Sequence, residues 1–293
     1  MSNVGNAEIF DRGYRAYEGP RTGVGTGMRA VGVSTIQRAL GLRRKFRFKI
    51  VPLITIFISY VPALAFLGIA VLLPSELAGE VVAEYSGYFG LIGTMVLLLT
   101  AFVVPEVMGS DRRTGMFGLY MASPLSRWHY LVAKFVAIVA VMSLVTMLPS
   151  IFQMVGYSLL DIGPDGFGQI LKTLGQIIVS GFILSIFFGL FGMAASTVTN
   201  RHLFASAAIA MLTIATGVFT GILVENTDAP NWIQLFSILR VPLELITRVF
   251  EVSTETPRLE GVSSLAAFGA WAGYCAVFAA VILWGYRRLE VTK

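Results

Sequence analysis

Charge and cysteine are both scarce in this sequence of 293 residues. Only 13% of the residues are Asp, Glu, Lys or Arg, whereas a soluble domain carries about 25%. Hydrophobic residues make up 56% of the chain and the mean hydropathy is +0.76, which indicates that lipid is its main solvent. Because Cys275 is the single cysteine, an intrachain disulfide is excluded.

Residue patterns typical of catalysis and energy coupling are also missing. The sequence contains no G-x-x-x-x-G-K-[ST] phosphate loop. The nearest glycine-rich piece, GVGTGMR at 23–29, lacks the lysine and is interpreted as a flexible turn. The two histidines, His129 and His202, fall at the edges of apolar runs, and no cluster has metal-ligand spacing. We therefore predict no catalytic residue, no metal site and no ATPase activity in this chain.

Six long apolar runs contain no Asp, Glu, Lys or Arg in their cores. About 20 such residues suffice to cross a bilayer as a helix, and one charge at the centre costs about 2.5–3.5 kcal/mol. The sequence therefore predicts an all-α membrane protein with six transmembrane helices, the second of which is expected to end early at Pro105 and Glu106. The runs lie near 50–73, 88–108, 131–160, 173–199, 203–224 and 264–286.

Lysine and arginine are distributed unevenly between the two sides of the predicted bundle. The segments before the first span, between spans two and three, between spans four and five, and after span six hold 18 of the 22. The same segments hold only six of the 17 acidic residues. Since cytoplasmic loops are enriched in Lys and Arg, we expect both termini to be cytoplasmic.

The polar segment at 105–127, PEVMGSDRRTGMFGLYMASPLSR, joins spans two and three. Thr114 is expected to cap a short helix over 115–121, and Ser126 or Ser123 to cap the next helix. The short helix is very apolar for a segment outside the membrane. This composition favours docking into a groove of a partner protein, and the alternative is a helix that lies flat on the bilayer.

This segment resembles that of the ABC-2 type of ABC-transporter permease. The pattern is a glutamate at the end of span two, basic residues, a glycine, an apolar helix, Pro-Leu-Ser-Arg and a lysine that opens span three. The matching positions are Glu106, Arg112, Arg113, Gly115, Pro124, Ser126, Arg127 and Lys134. The resemblance implies a cytoplasmic coupling helix that rests in a cleft of a separate ABC ATP-binding subunit. That subunit would carry ATP and Mg, and this chain would bind no cofactor.

The resemblance also implies a second permease subunit, in a homodimer or heterodimer, and a location in the bacterial cytoplasmic (inner) membrane. The candidate contacts with the ATPase subunit are Glu106, Asp111, Arg112, Arg113, Gly115, Met116, Phe117, Leu119, Tyr120, Pro124 and Arg127.

The resemblance further implies an amphipathic helix on the inner membrane surface before the first span. Residues 33–49 are the candidate, with Val33 and Ile36 on the apolar face and Arg38 on the opposite face. The predicted organisation begins with a cytoplasmic tail and this interface helix, followed by the membrane domain and a short cytoplasmic tail. The ranges are 1–32, 33–49, 50–286 and 287–293.

The outer segment 225–261, between spans five and six, has apolar residues at helical spacing. Pro242 is expected to break it into two short outer helices, each too short to cross the bilayer. Arg240, Glu244 and Arg248 lie four residues apart and are expected to pair. Small residues four apart in spans four to six, such as Gly181, Ser185 and Gly189, indicate close helix packing within the bundle or at a subunit interface.

Together these features predict the membrane subunit of an ATP-driven exporter for an amphipathic drug, a lipid or a lipid-linked compound. Proton- and ion-coupled carriers usually place ionisable groups inside the bilayer, and no span core contains one. A passive channel or scaffold and an ion-coupled carrier remain the alternatives. The candidate residues of the substrate pathway are Thr94, Thr100, Thr213, Thr216, Phe219 and Thr220.

Overall fold

The computed structural model describes residues 23–42, 46–72, 85–116, 118, 120, 125–199, 201–227, 229–250, 259 and 261–288. Across these ranges the regular secondary structure is helical, with no β-strand. The α-helices with defined bounds are α1 (Val24–Ala39), α2 (Arg47–Leu72), α3 (Tyr85–Arg113), α4 (Arg127–Thr146), α5 (Leu148–Leu159), α6 (Gly166–Val198), α7 (His202–Asn226), α8 (Arg240–Val249) and α9 (Ser264–Arg288), and a 3-10 helix spans Asn231–Phe236.

Six helical segments are long and apolar enough to cross a membrane. They are Lys49–Leu72, Tyr85–Arg113, Arg127–Leu159, Gly166–Val198, His202–Asn226 and Ser264–Arg288. The prediction of an all-α protein with six spans is therefore confirmed. α6 is the most buried of the spans and contacts α3, α4 and α9, whereas α2, α7 and α9 each leave a broad apolar surface exposed.

The third span consists of two helices, α4 and α5, which meet at Met147. Pro149 lies in the first turn of α5, where its missing N–H would otherwise bond to the carbonyl of Val145. The helical i to i−4 hydrogen bonds continue on either side of Pro149. Met147 N donates to Ser143 O and Ile151 N donates to Met147 O, both at 2.9 Å. Pro149 thus marks a helix boundary, whereas Pro62, in the first span, lies inside the unbroken α2.

The second span does not end at Pro105, as the sequence predicted, but continues as α3 to Arg113. A proline inside a helix leaves the carbonyl four residues earlier without its usual partner. In this protein that carbonyl belongs to Ala101, and the hydroxyl of Ser206 on α7 donates a hydrogen bond to it. The helix tolerates Pro105 because a neighbouring span replaces the lost bond.

The helix predicted at 33–49 has different bounds in the structure, while its predicted location on the inner membrane surface stays a prediction. α1 begins at Val24, includes most of the expected glycine-rich turn, and ends at Ala39, while Arg47–Lys49 already belongs to α2. The buried face of α1 consists of Val31, Thr35 and Ala39, and it packs against α4. These three residues are small and lie four apart, so this face fits closely against another helix. Val33, which was predicted to lie on the apolar face, is 45% exposed.

The two short helices between spans five and six are present, but Pro242 does not separate them. The break falls at 237–239, and Pro242 lies in the first turn of α8, where a backbone N–H has no helical partner to lose. The side-chain hydroxyl of Ser237 accepts a hydrogen bond from the N–H of Arg240 at 3.3 Å, which satisfies one of the free N–H groups at the start of α8. The predicted pairing of Glu244 with Arg248 is confirmed by an Nη2–Oε1 distance of 2.8 Å.

The small residues of span four pack within the bundle. The hydroxyls of Ser185 and Thr146 lie 3.0 Å apart, and a Cβ at Gly189 would be in ordinary contact with Ile138 at 3.5 Å. α6 therefore lies close against α4 along this face. By contrast, a Cβ added at Gly269 or Gly273 in α9 would have no described atom of another residue within 4 Å, so this spacing serves no close contact within the part of the chain that the structure describes.

We expect Gly192→Ala to lower the stability of the bundle. A Cβ at Gly192 would lie 2.9 Å from Thr100 Cγ2 and 3.0 Å from Val104 Cβ. Both neighbours are β-branched helical residues that cannot easily change rotamer, and overpacking of this kind costs about 1–3 kcal/mol. The measurement is the thermal unfolding midpoint of the purified protein in detergent.

The matched control for this substitution is Gly175→Ala. Gly175 lies in the same helix and has no atom within 4 Å of the added Cβ. Both variants gain the same helix propensity, so their difference reports the packing clash alone. Equal midpoints for the two variants would show that α3 and α6 are not in close contact.

Candidate functional site at the arginine-rich end

One end of the bundle gathers the end of α3, the start of α4, the end of α6, the start of α7 and the end of α9. We call it the arginine-rich end. It is defined by Arg112, Arg113, Arg127, Arg201, Arg287 and Arg288. The segment with the predicted coupling helix leaves the bundle here, after α3, and re-enters it at α4.

A buried cluster of charged residues lies at the root of this segment. Asp111, in the last turn of α3, pairs through Oδ1 with Arg38 of α1. Its Oδ2 lies 2.7 Å from Lys134 Nζ and accepts a hydrogen bond from the hydroxyl of Tyr130 at 2.9 Å. The side chains of Asp111 and Lys134 are each only 1% exposed. One carboxylate therefore joins α1, α3 and α4.

Lys134 is held from two directions inside the bundle. Besides Asp111, its ammonium group donates to the carbonyl of Val107 at 3.0 Å. An ammonium that is removed from water requires such partners, since an unpaired buried charge costs several kcal/mol. The sequence analysis identified Lys134 only as the residue that opens span three. Its partner could have been suspected from the opposite charges of Asp111 and Lys134 at the facing ends of consecutive spans.

The end of α3 has a glycine cap. Thr114 Oγ1 donates to the carbonyl of Ser110 at 2.8 Å, and Gly115 follows with a φ of 70°. A left-handed glycine after the last turn is a common helix C-cap. Thr114 thus closes α3, while its predicted role as the cap of the next helix stays a prediction, because Phe117 lies outside the described residues. By contrast, the predicted cap at Ser126 is confirmed, because its hydroxyl accepts from the N–H of His129 at 3.3 Å.

The short helix after Gly115 is described only in part. Met116, Gly118 and Tyr120 have helical conformation, and Gly118 N donates to Gly115 O at 3.2 Å. Met116 and Tyr120 are half-buried. The ring of Tyr120 lies 5.7 Å from that of Tyr130, which connects this helix to the buried cluster. The candidate residues Phe117, Leu119 and Pro124 lie outside the described residues.

The three arginines predicted as partner contacts all bond to other helices of the bundle. The Arg112 guanidinium lies 4.6 Å from the ring centre of Tyr286 on α9. Arg127 Nη1 donates to the carbonyl of Tyr286 at 3.1 Å, in the last turn of α9, where carbonyls lack helical partners. Arg113 bonds to Glu106 at 2.9 Å and to His202 of α7 at 3.2 Å.

The accessibility of the predicted contacts divides them into two groups. Asp111 is buried, so in this structure it offers no surface for a direct partner contact and instead fixes the segment from within the bundle. Arg113, Gly115 and Arg127 are exposed. Glu106 retains 29% of its side-chain exposure.

The six candidate pathway residues do not form one surface. Thr100, Thr213 and Thr220 are buried, and each hydroxyl donates to a carbonyl three or four residues earlier in its own helix. Buried side chains with internal hydrogen bonds do not line a pathway in this conformation, so these three are not accessible to a substrate in this structure. Thr94 and Phe219 are exposed, and Thr216 is half-buried with its hydroxyl accepting from Ile238 N at 3.2 Å.

We expect Asp111→Asn to destabilise the protein strongly. The substitution leaves Lys134 buried without its counter-charge, a change that costs about 3–5 kcal/mol in comparable cases. Glu106→Gln is the control, because it removes a more exposed carboxylate from the same helix and exposed pairs contribute about 0–1 kcal/mol. The measurement is the thermal midpoint in detergent. Similar midpoints for the two variants would contradict the burial of the cluster.

The sequence was also compared with known proteins and families. No curated protein is similar enough to count as a relative. The sequence profile of the family described as "ABC-2 family transporter protein" matches residues 80–285. This range covers more than half of the chain, and it contains α3, Asp111, Lys134, the outer short helices and most of α9. The chain therefore belongs to the ABC-2 transporter family and is a multi-pass membrane transport component.

Proposed function

We propose that this chain is the permease subunit of an ATP-driven ABC exporter. A separate ABC ATP-binding subunit binds and hydrolyses Mg-ATP, and two permease subunits form the transport pathway between them. Membership of the ABC-2 family supports the general permease role. The more specific claim, that the ATPase docks at the arginine-rich end, rests on the geometry around residues 106–127.

The observation that carries this claim is the anchoring of the segment to buried charge. Asp111 fixes the last turn of α3 to α1 and α4, and the cap at Gly115 directs the chain out of the bundle immediately afterwards. Met116 and Tyr120 follow on a helical turn that rests on Tyr130. Because this turn is attached to α1, α3 and α4 through Asp111, a partner that presses on it would transmit force to all three helices.

The proposed orientation places the arginine-rich end in the cytoplasm. The arginines at the ends of α3, α6 and α9 support this orientation, because Lys and Arg concentrate on the cytoplasmic side of membrane proteins. The opposite end carries the 3-10 helix and α8, which would then face outwards. The ATPase would find α1 beside the coupling segment, since α1 packs on α4 and pairs with α3.

The proposed cargo is an amphipathic drug, a lipid or a lipid-linked compound. The exposed surfaces of α3 and α7 are apolar and bear occasional hydroxyls, and Thr94, Thr216 and Phe219 remain candidates for contact with such a molecule. Thr94 and Phe219 face open space in this chain. A second permease subunit that packs beside them would enclose a largely uncharged passage.

An ion-coupled carrier is a second candidate, because the Asp111–Lys134 pair is ionisable and buried. The pair lies at one end of the bundle, however, and both members have several partners. Such a satisfied pair is typical of a structural ion pair. Reconstituted transport distinguishes the two candidates: the exporter requires ATP and the ATPase subunit, whereas a carrier transports with an ion gradient alone.

We expect a cysteine at Thr114 to be labelled from the cytoplasmic side only. In a Cys275→Ala background, Thr114→Cys places a thiol at the exposed end of α3, and Phe167→Cys places one at the start of α6, at the opposite end, where Phe167 is 81% exposed. A membrane-impermeant maleimide should label the second variant in intact cells and the first only after lysis. The reverse pattern would rule out ATPase docking at residues 106–127.

We expect Met116→Asp and Phe117→Asp to reduce co-purification of the ATPase subunit by more than ten-fold. The partner to co-express is a P-loop ATPase encoded beside this chain. A carboxylate in an apolar contact must lose its hydration without gaining a partner. Phe167→Asp is the matched control at the other end of the bundle and should retain the ATPase. If both test variants retain it at control levels, the docking assignment is wrong.

A further inference from the structure

A cleft of about 300 Å³ opens at the arginine-rich end, between the end of α3 and the start of α7. Its lining consists of Arg113, Arg201, His202, Leu203 and Phe204. The cleft is therefore rich in positive charge on one side and apolar on the other. The candidate pathway residues do not contribute to it, and neither do Met116, Gly118 and Tyr120, the described residues of the coupling segment after Gly115.

The charge in the cleft is only partly neutralised. Arg113 pairs with Glu106 at 2.9 Å, but Glu106 is not among the lining residues. Arg201 has no carboxylate partner within the part of the chain that the structure describes, and its guanidinium lies 5.9 Å from the ring centre of Phe204. The lining thus presents two guanidinium groups, and because Arg113 is already paired with Glu106, Arg201 supplies the uncompensated positive charge that favours an anion.

The histidine of the cleft adds a hydrogen-bond donor. Arg113 Nη1 lies 3.2 Å from Nδ1 of His202, and because an arginine can only donate, Nδ1 is the acceptor. The ring proton of His202 then resides on Nε2, which is left to donate. α7 begins at this residue with no side-chain cap on its first turn, so the backbone N–H groups there further favour negative charge.

The apolar side of the cleft continues onto the membrane-facing surface. Leu203 and Phe204 are 68% and 61% exposed in the first turn of a membrane-spanning helix. Beyond them the surface of α7 is almost entirely apolar, with Met211 and Ile214 also exposed. A free inorganic anion would gain nothing from this surface, whereas an acyl chain would cover it.

We propose that the cleft binds an anionic phospholipid, with its phosphate between Arg201 and Arg113 and its acyl chains along α7. Guanidinium groups recognise phosphate oxygens through paired hydrogen bonds, and basic pockets between membrane helices are suited to anionic headgroups. The site lies beside the proposed ATPase docking turn and shares Arg113 with the candidate contacts, but it does not depend on that docking. It does depend on α7 crossing the membrane with its first turn at the headgroup level.

The test measures lipid binding by the full-length protein. Wild type, Arg201→Gln and Arg201→Glu are purified, delipidated and titrated with phosphatidylglycerol or phosphatidylcholine in mixed micelles, and bound lipid is counted by native mass spectrometry. Each basic residue near a bilayer surface contributes about 1 kcal/mol toward anionic lipid, which is about five-fold in affinity. We therefore expect Arg201→Gln to bind phosphatidylglycerol about five-fold more weakly, Arg201→Glu more weakly still, and phosphatidylcholine binding to change little.

The control is Arg288→Gln. Arg288 is a basic residue at the same end that lies over Trp284 and outside the cleft, so its loss should leave lipid affinity unchanged. Leu203→Ser supplies a variant that retains every charge and should still weaken lipid binding. Equal effects of Arg201→Gln and Arg288→Gln would overturn the site. If millimolar inorganic phosphate displaces phosphatidylglycerol and Leu203→Ser has no effect on lipid binding, the cleft is a site for free phosphate. That result would overturn the proposal that it binds a phospholipid.

Discussion

The burial of Asp111 between two cations determines how this end of the protein is arranged. A carboxylate that is 1% exposed requires partners in fixed places, and here they come from Arg38 of α1 and from Lys134 and Tyr130 of α4. Because separating these helices would leave Asp111 and Lys134 buried without their opposite charges, α1, α3 and α4 are constrained to one relative position. The packing of α1 against α4 satisfies the same constraint.

Pro105, which lies six residues before Asp111 in α3, adds a second constraint on the packing of this helix. The carbonyl that this proline frees is bonded by Ser206 of α7, and Arg113 makes a further contact to His202 of α7. α3 is thus connected to α1 and α4 by buried ion pairs, and to α7 by an arginine–histidine contact and a hydroxyl bond. Hydrogen bonds contribute about 0.5–1.5 kcal/mol each, and about 1.5–3 kcal/mol when one partner is charged, as Arg113 is. These contacts add to the packing of α3 against α7, but they include no buried ion pair among the described residues.

The number, type and approximate bounds of the spans could be predicted from the sequence, because a run of twenty apolar residues has few other stable environments. The Glu244–Arg248 pair and the cap at Ser126 could be predicted as well, since both depend on residues only three or four apart. Errors arose where the deciding partner is distant in sequence. Nothing near Pro105 shows that Ser206 will replace the lost bond, and nothing near Arg38 shows that Asp111 is its partner. The buried threonines were misplaced because helix rotation depends on all neighbours together.

The different kinds of contact indicate which helices would move together under load. If an ATPase presses on the turn after Gly115, the force enters α3 at Asp111, and α1 and α4 move with it because separating them would separate buried charges. Sliding of α3 against α7 separates no buried ion pair among the described residues, and Pro105 lies on that interface. The basic cleft is built from the same two helix ends. A phospholipid bound to Arg113 and Arg201 would bridge them, and would therefore strengthen the connection that motion has to break.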